Sequence, residues 1–252
     1  LYFHNNPLEM KGSKKVSDRI ALLNKVDYII CVSEFIKKKF MLGLSEHTNK
    51  ILVIHNGVDR KHKINPKKKK KILFVGRIVK EKGVHHYVDA ISNISKKYEN
   101  WKYFLIGASK SNNRIFGNYS SKVIRTFKKL KNTKYFGSLS HEQVQNIMME
   151  TSIIVVPSIW EEPFGLVVAE AMSNGVAVIC SNFGGIPEII RDNGLLLDDV
   201  NGKNIEKALC SLMSNSTLLQ EYQKKSWHGF KHTSSLSSEK VDNYRKILIS
   251  KF

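Results

Sequence analysis

Short apolar runs alternate with amphipathic stretches along most of the chain. "KILFVG", "WKYFLIG", "TKYFG", "SIIVVPS", "VAVICSN" and "GLLLDD" read as strands, because each is brief and bounded by turn residues. Between them "KGVHHYVDAISNISKKY", "SKVIRTFKKL", "SHEQVQNIMME", "FGLVVAEAMSN" and "IPEII" read as helices. A polar loop is expected between "WKYFLIG" and "SKVIRTFKKL". Ser140 followed by Gln143 predicts a capping box, Gly175 a helix stop, and Pro187 a first helical turn. Upstream, "LYFHNNP" reads as a strand ending in a polar turn and "KKVSDRIALLNKV" as a helix. "DYIICVSEFIKKKF" reads as a strand, Ser33 as N-cap, and a helix. "KILVIHNGVD" reads as a strand closed by the turn pair Asn56-Gly57. Helices are expected after "GLLLDD".

Strands alternating with helices predict an α/β fold, a parallel sheet covered on both faces. Residues 59–70 are polar, carry Pro66 and read as a linker; the lysine run Lys67–Lys71 reads as solvated chain. A new alternation starts at Lys71. Open parallel sheets bind ligands beyond the carboxyl ends of their strands. Arg77, Ser158–Glu162 and Gly184-Gly185 should therefore share one rim.

Composition narrows the function classes. The 252 residues suffice for one or two domains, and 42% hydrophobic content fits a globular protein. No apolar run reaches the roughly 20 residues of a membrane-spanning helix, and no signal peptide is read at the start. Cys31, Cys180 and Cys210 are scattered, with neither disulfide nor metal spacing, which suits a reducing cytoplasm. The formal charge of +19 attracts anions. Basic patches interleaved with aromatics are not evident, so nucleic acid is not the expected partner.

Several residues on the rim carry candidate chemistry. Gly76 permits a tight turn, and Arg77 and Lys82 place two cations beside a helix start, a seat for a diphosphate. The alternative is a surface pair in a lysine-rich chain. Pro163 disfavours helix at Glu162, so this acid projects from a constrained turn. Phe164, Gly165 and Leu166 open the next helix, whose early N–H groups, from about Gly165 to Val167, lack intrahelical partners. Glu170 lies one to two turns inside, suited to accept hydrogen bonds from vicinal ribose hydroxyls, while Glu162 would accept from sugar hydroxyls. Glu161 reads as a solvated acid, and Glu188 as a capping aid or local hydrogen-bond acceptor.

"EPFGLVVAE" resembles the E-x7-E motif of retaining nucleotide-sugar glycosyltransferases of family 4. "VSEFI", "HNGVD", "VGRIVKEKGV", "GGIPEII" and "GLLLDD" resemble that family's other segments in its order. The resemblance implies a GT-B architecture: two Rossmann-like domains facing a cleft, the donor held mainly by the second. It implies diphosphate contacts from Arg77 and Lys82, a donor-sugar contact from Glu162, and a ribose contact from Glu170. It also implies a donor-facing loop through Pro163, Phe164, Gly165 and Leu166. "YFHNNP" is similar to the strand end that carries the family's active-site histidine, which points to His4. Residues 1–58 then correspond to part of an N-terminal, acceptor-side domain, truncated relative to the family pattern, and lack its glycine-rich loop. Residues 71–235 correspond to the nucleotide-sugar domain and 236–252 to a helix crossing back.

The activity this implies is sugar transfer from a nucleotide-diphosphate sugar to an acceptor hydroxyl with retained configuration. No acid–x–acid metal motif is present, so no metal or other cofactor is expected. The expected partners are the nucleotide sugar and a sugar or lipid-linked glycan acceptor, in polysaccharide or lipopolysaccharide synthesis. The positive charge suggests peripheral contact with an anionic inner membrane face. Rival readings are a nucleotide-sugar-binding fragment without turnover, an epimerase of the same fold, and a basic nucleic-acid binder.

Overall fold

A computed structural model of the chain describes residues 1–44, 49–109 and 114–250; part of the expected loop after "WKYFLIG" and the last two positions of the expected segment 236–252 lie outside the described residues. The first unit contains β1 (Tyr2–Phe3), α1 (Val16–Lys25), β2 (Ile29–Cys31), α2 (Glu34–Met41) and β3 (Ile51–Val53). The second opens with β4 (Lys69–Val75), α3 (Val84–Ile94), β5 (Lys102–Ile106), α4 (Arg114–Lys128), β6 (Thr133–Gly137) and α5 (His141–Met149). It continues with β7 (Thr151–Val156), α6 (Leu166–Ser173), β8 (Ala177–Ser181), α7 (Ile186–Ile190), β9 (Leu195–Leu197), α8 (Gly202–Ser214) and α9 (Ser216–Gly229). The last helix is α10 (Ser234–Ile249).

Both sheets are parallel. The first has the order β1-β2-β3 and the second β6-β5-β4-β7-β8-β9. The second sheet starts in its middle at β4, grows outward through β5 and β6, and then returns to lay β7 on the other side of β4. Neighbouring connections diverge between β4 and β7, which opens a crevice above their carboxyl ends.

Alternating side chains cover the two faces of this sheet. Ile72, Phe74, Leu105, Ile153, Val155 and Ile179 are buried with Val84, Tyr87 and Ile91 of α3 and Leu209 of α8. The intervening Leu73, Phe104, Ile106, Ile154, Val178 and Cys180 are buried with Val168 and Met172 of α6. That second core runs on into Cys31, Ile36 and Phe40 of the first unit. α10 lies against the first unit too: Ser237 Oγ donates to the His55 carbonyl at 2.8 Å, and the Tyr28 and Tyr244 rings meet edge-on at 5.2 Å. Among the described residues, no helix is long and apolar enough to cross a membrane.

Three elements differ from the sequence expectation. α4 begins at Arg114, inside the stretch expected as a loop, and packs Tyr119, Val123 and Phe127 against the sheet. β3 keeps three residues of the expected longer strand. The lysine run is solvated only in part: Lys67, Lys69 and Lys70 are exposed, but β4 starts at Lys69, within the expected linker. Lys69 and Lys71 both pair with Glu150, at 2.5 and 2.6 Å. Lys68 donates to the carbonyls of Met149 and Asn174 at 2.8 and 2.5 Å, so it closes the carboxyl ends of α5 and α6, where a cation is favoured.

Candidate active site

The crevice between β4 and β7 is built from two loops locked together. After β4 come Gly76, Arg77 and a 3-10 turn at Lys80–Lys82, then Gly83, which caps α3 at φ +63°. After β7 come Pro157 and the loop to Glu162. Ile159 N–H donates to the Glu81 carbonyl at 2.9 Å. A Cβ on Gly83 would lie 1.8 Å from the Pro157 carbonyl oxygen, so the two loops approach this closely only with glycine there.

Across that contact Lys82 Nζ pairs with Glu162 Oε1. Ser158 Oγ donates to the same oxygen at 2.5 Å. Glu162 is only 8% exposed, and a carboxylate that far from water needs such partners. The loop after β8 joins from the other side: Gly185 N–H donates to the Glu162 carbonyl at 2.7 Å. Gly184, at φ +65°, has no room for a Cβ, which would lie 2.3 Å from that same oxygen. The three strand ends thus share the rim expected from the sequence.

α6 starts on this rim. Gly165 caps it at φ +94°, and its first backbone bond runs from Val168 N–H to the Gly165 carbonyl at 2.9 Å. The N–H groups of Leu166 and Val167 therefore have no intrahelical acceptor, the condition for an anion seat. Glu170 lies farther along α6 and is 7% exposed. Burial pushes its carboxyl above the ordinary carboxylate range; the nearby His141 pulls the other way. His141 Nδ1 stands 3.5 Å from Glu170 Oε1, at the start of α5. Phe164 is buried, its ring between His55 and His232 at 5.7 and 5.9 Å. Leu166 is exposed.

The first unit grips the same loop. Ser33 Oγ donates to the Pro163 carbonyl at 2.5 Å while accepting the Ile36 N–H at 3.1 Å. The Glu188 carboxylate accepts the N–H groups of Glu34 and Phe35, both at 2.7 Å, and lies 3.5 Å from His55 Nε2. Lys39 pairs with Glu161 at 2.8 Å. His4 follows β1, next to the strand that leads into Ser33; its ring stacks on Tyr2 at 5.7 Å.

The structure therefore joins Lys82 and Glu162 directly and sets Gly76, Pro163, Phe164, Gly165, Leu166 and Glu170 on the loops and helix around them. Arg77 is exposed on the same loop as Lys82, and among the described residues no hydrogen bond or ion pair links Arg77 or His4 to Glu162, Lys82 or Glu170. One expectation is extended and one changes. Glu161 is exposed, as expected of a solvated acid, and in addition pairs with Lys39 of α2. Glu188 does act as a cap, but for α2 rather than for its own helix. Sequence reasoning also missed Ser158 as the partner of Glu162 and His141 as the neighbour of Glu170. Nothing local in the sequence signals either, because both are long-range or loop contacts.

Two parallel-sheet units, a crevice at the point of strand reversal and a cation–carboxylate contact across it define an α/β fold of the GT-B type. Anabaena HepE has a TM-score of 0.77 at 15% identity, with 97% of this chain and 70% of that one covered. A Rickettsia africae glycosyltransferase has a TM-score of 0.76 at 22% identity, with 93% and 68% covered. The chain belongs to the glycosyl transferases group 1 family, whose model matches residues 57–227. An uncharacterised glycosyltransferase of Methanocaldococcus jannaschii is 34% identical over 194 residues, 76% of this chain and 51% of that protein. An uncharacterised Klebsiella pneumoniae protein in the cps region is 28% identical over 250 residues, 94% of this chain and 66% of that protein. The chain thus spans between about half and two thirds of the length of these curated relatives.

Proposed function

We propose that the chain acts as a retaining, metal-independent glycosyltransferase that moves a sugar from a nucleotide-diphosphate sugar to an acceptor hydroxyl. One observation supports this above all. Lys82, from the end of β4, meets Glu162, from the end of β7, beside the open start of α6.

Breaking the bond between sugar and diphosphate leaves positive charge near the anomeric carbon and negative charge on the leaving phosphate. Arg77, Lys82 and the N–H groups from Gly165 to Val167 would take up the negative charge, best when already fixed in place. In this reading Lys82 turns from Glu162 toward the phosphate, and Glu162 then accepts hydrogen bonds from sugar hydroxyls. Glu170 accepts from the ribose hydroxyls. The cations serve where other enzymes use a divalent ion. Attack occurs on the face the phosphate leaves, assisted by that phosphate, and retains configuration. His4 is the candidate group on the acceptor side.

Structural neighbours give this reading its ligand class. HepE was crystallised with UDP and glucose, and TarM of S. aureus with UDP and a GlcNAc-glycerol. The fold is also that of WaaG, a glycosyltransferase of lipopolysaccharide biosynthesis, and the Klebsiella relative lies in a cps region. We assign the chain to cell-surface polysaccharide or lipopolysaccharide synthesis, in the cytoplasm at the inner membrane face, on lipid-linked acceptors.

The test is a panel of nucleotide sugars offered with a lipid-linked glycan acceptor in the presence of a chelator, with the product anomer read by NMR. A glycoside of retained configuration is expected. An inverted anomer, an epimerised free sugar nucleotide, or activity restored only by magnesium contradicts the reading. Binding of the sugar nucleotide without product reduces the chain to a donor-binding unit.

A further inference from the structure

The turn Arg191–Asn193, the end of α9 and the link Lys231–His232 line an open cavity of about 530 Å³. Its walls carry Arg191, Lys224, Lys225, His228, Lys231 and His232 against a single acid, Glu221. Glu221 pairs with Lys225 at 2.7 Å. Arg191, Lys224 and Lys231 come from three different segments and have no ion-pair partner among the described residues. What sets these three apart from other unpaired cations of the chain is that they line one pocket together.

The backbone adds a second observation. Arg191 sits at φ +45° and ψ −128°, a conformation that its Cβ makes costly. Among the described residues only Asn132 shares a positive φ without being glycine. A turn with no other duty would be better served by glycine. At this position, however, the guanidinium is presented at the cavity wall. His232 contributes a hydrogen-bonding ring without charge, because burial first, then His55 and Arg191, hold it down to about 4.

We propose that this cavity binds a phosphate-bearing group. Its volume lies within the range of small-molecule pockets. A guanidinium fork with two ammonium groups is the donor set that phosphate favours. The group has two possible sources, a phospholipid headgroup or a soluble phosphate ester.

The experiment uses the full chain and two triple variants of equal charge change. One is Arg191→Gly, Lys224→Gln, Lys231→Gln in the cavity. The other is Lys96→Gln, Lys129→Gln, Lys207→Gln at exposed positions elsewhere. Inorganic pyrophosphate is titrated by calorimetry, and flotation is measured with phosphatidylglycerol-containing against pure phosphatidylcholine vesicles. The cavity variant should lose about fivefold in vesicle affinity per cation removed, or a pyrophosphate site that Arg77→Ala leaves intact. Loss on vesicles identifies a headgroup, and loss of pyrophosphate a soluble ester. Arg191→Gly alone should raise Tm while weakening binding. Equal losses in both triple variants, or no loss in the cavity variant, overturn the proposal, as does a lower Tm for Arg191→Gly with binding unchanged.

Discussion

The Glu188 carboxylate accepts the Phe35 N–H at 2.7 Å, a bond that joins residues 153 positions apart and ties the two units of the chain. Its other oxygen takes the N–H of Glu34 at the same distance. Ser33 takes the next N–H and holds the Pro163 carbonyl. The first turn of α2 is thus capped largely by the second unit, and the same few residues fix the loop that carries Glu162. Packing of the two units and geometry of the crevice are one arrangement.

Glu188→Gln should loosen this junction. An amide has one acceptor oxygen in place of two, so one N–H of α2 loses its partner and faces an NH₂ group. A loss of about 1–3 kcal/mol in urea unfolding is expected. Hydrogen exchange should quicken in α2 while β4, β7 and β8 stay protected. Unchanged exchange in α2 would show that the bonds contribute nothing to holding it.

Acid should act in the same place. Burial alone would raise the Glu188 carboxyl, but the neighbouring His55 and the hydrogen bonds from the Glu34 and Phe35 N–H groups reverse this and hold it below its ordinary value. Its folded pKa is then lower than its unfolded one, near 4.3. The stability it contributes is complete above the unfolded value and is lost as pH falls through the folded one. Wild type should lose more stability than Glu188→Gln as pH falls below about 5. Parallel stability–pH curves for the two proteins would contradict this.

Lys82 and Glu162 should be strongly coupled. Removing either leaves the other without its partner in a poorly hydrated place, at a cost of roughly 1.5–3 kcal/mol. Lys82→Met and Glu162→Gln should each lower stability, and the double variant should lose less than their sum. The same pair should depress transfer rates nearly as much singly as together. Strict additivity in both measurements would mean that the contact has no energetic weight.

Gly83→Ala should disturb the crevice more than its size suggests. The added Cβ meets the Pro157 carbonyl at 1.8 Å, and alanine is strained at φ +63°. A loss of at least about 1–3 kcal/mol is expected, together with weaker nucleotide binding as the β4 and β7 loops separate. Wild-type stability in this variant would mean that the loops are not locked.

Much of this was legible in the chain, and the reasons for the rest are physical. Strand runs such as "SIIVVP" are apolar throughout because both sheet faces are covered, so period and length sufficed to find them. The rim followed from topology: a parallel sheet sends the residues after its strands to one edge. Local caps were equally readable, as at Ser33 and at Ser140 with Gln143. Contacts made at long range were not. Glu188 looked like an acid at its own helix start, and only the packing of the two units shows that it serves α2. Lys68 looked like part of a solvated run, yet two helix ends converge on it. Charge in sequence reveals a residue's chemistry, whereas its partner depends on the fold.

The central claim is that Arg77, Lys82, the start of α6 and Glu170 hold one nucleoside diphosphate. Calorimetric titration of a panel of nucleoside diphosphates into wild type, Arg77→Ala and Glu170→Ala tests it most directly. For the base that binds, each substitution should weaken affinity about tenfold or more, the equivalent of one charge-assisted hydrogen bond. Wild-type affinity should also fall as acid protonates Glu170, at a higher pH than an ordinary carboxylate requires. Tight binding that neither substitution alters would contradict the account.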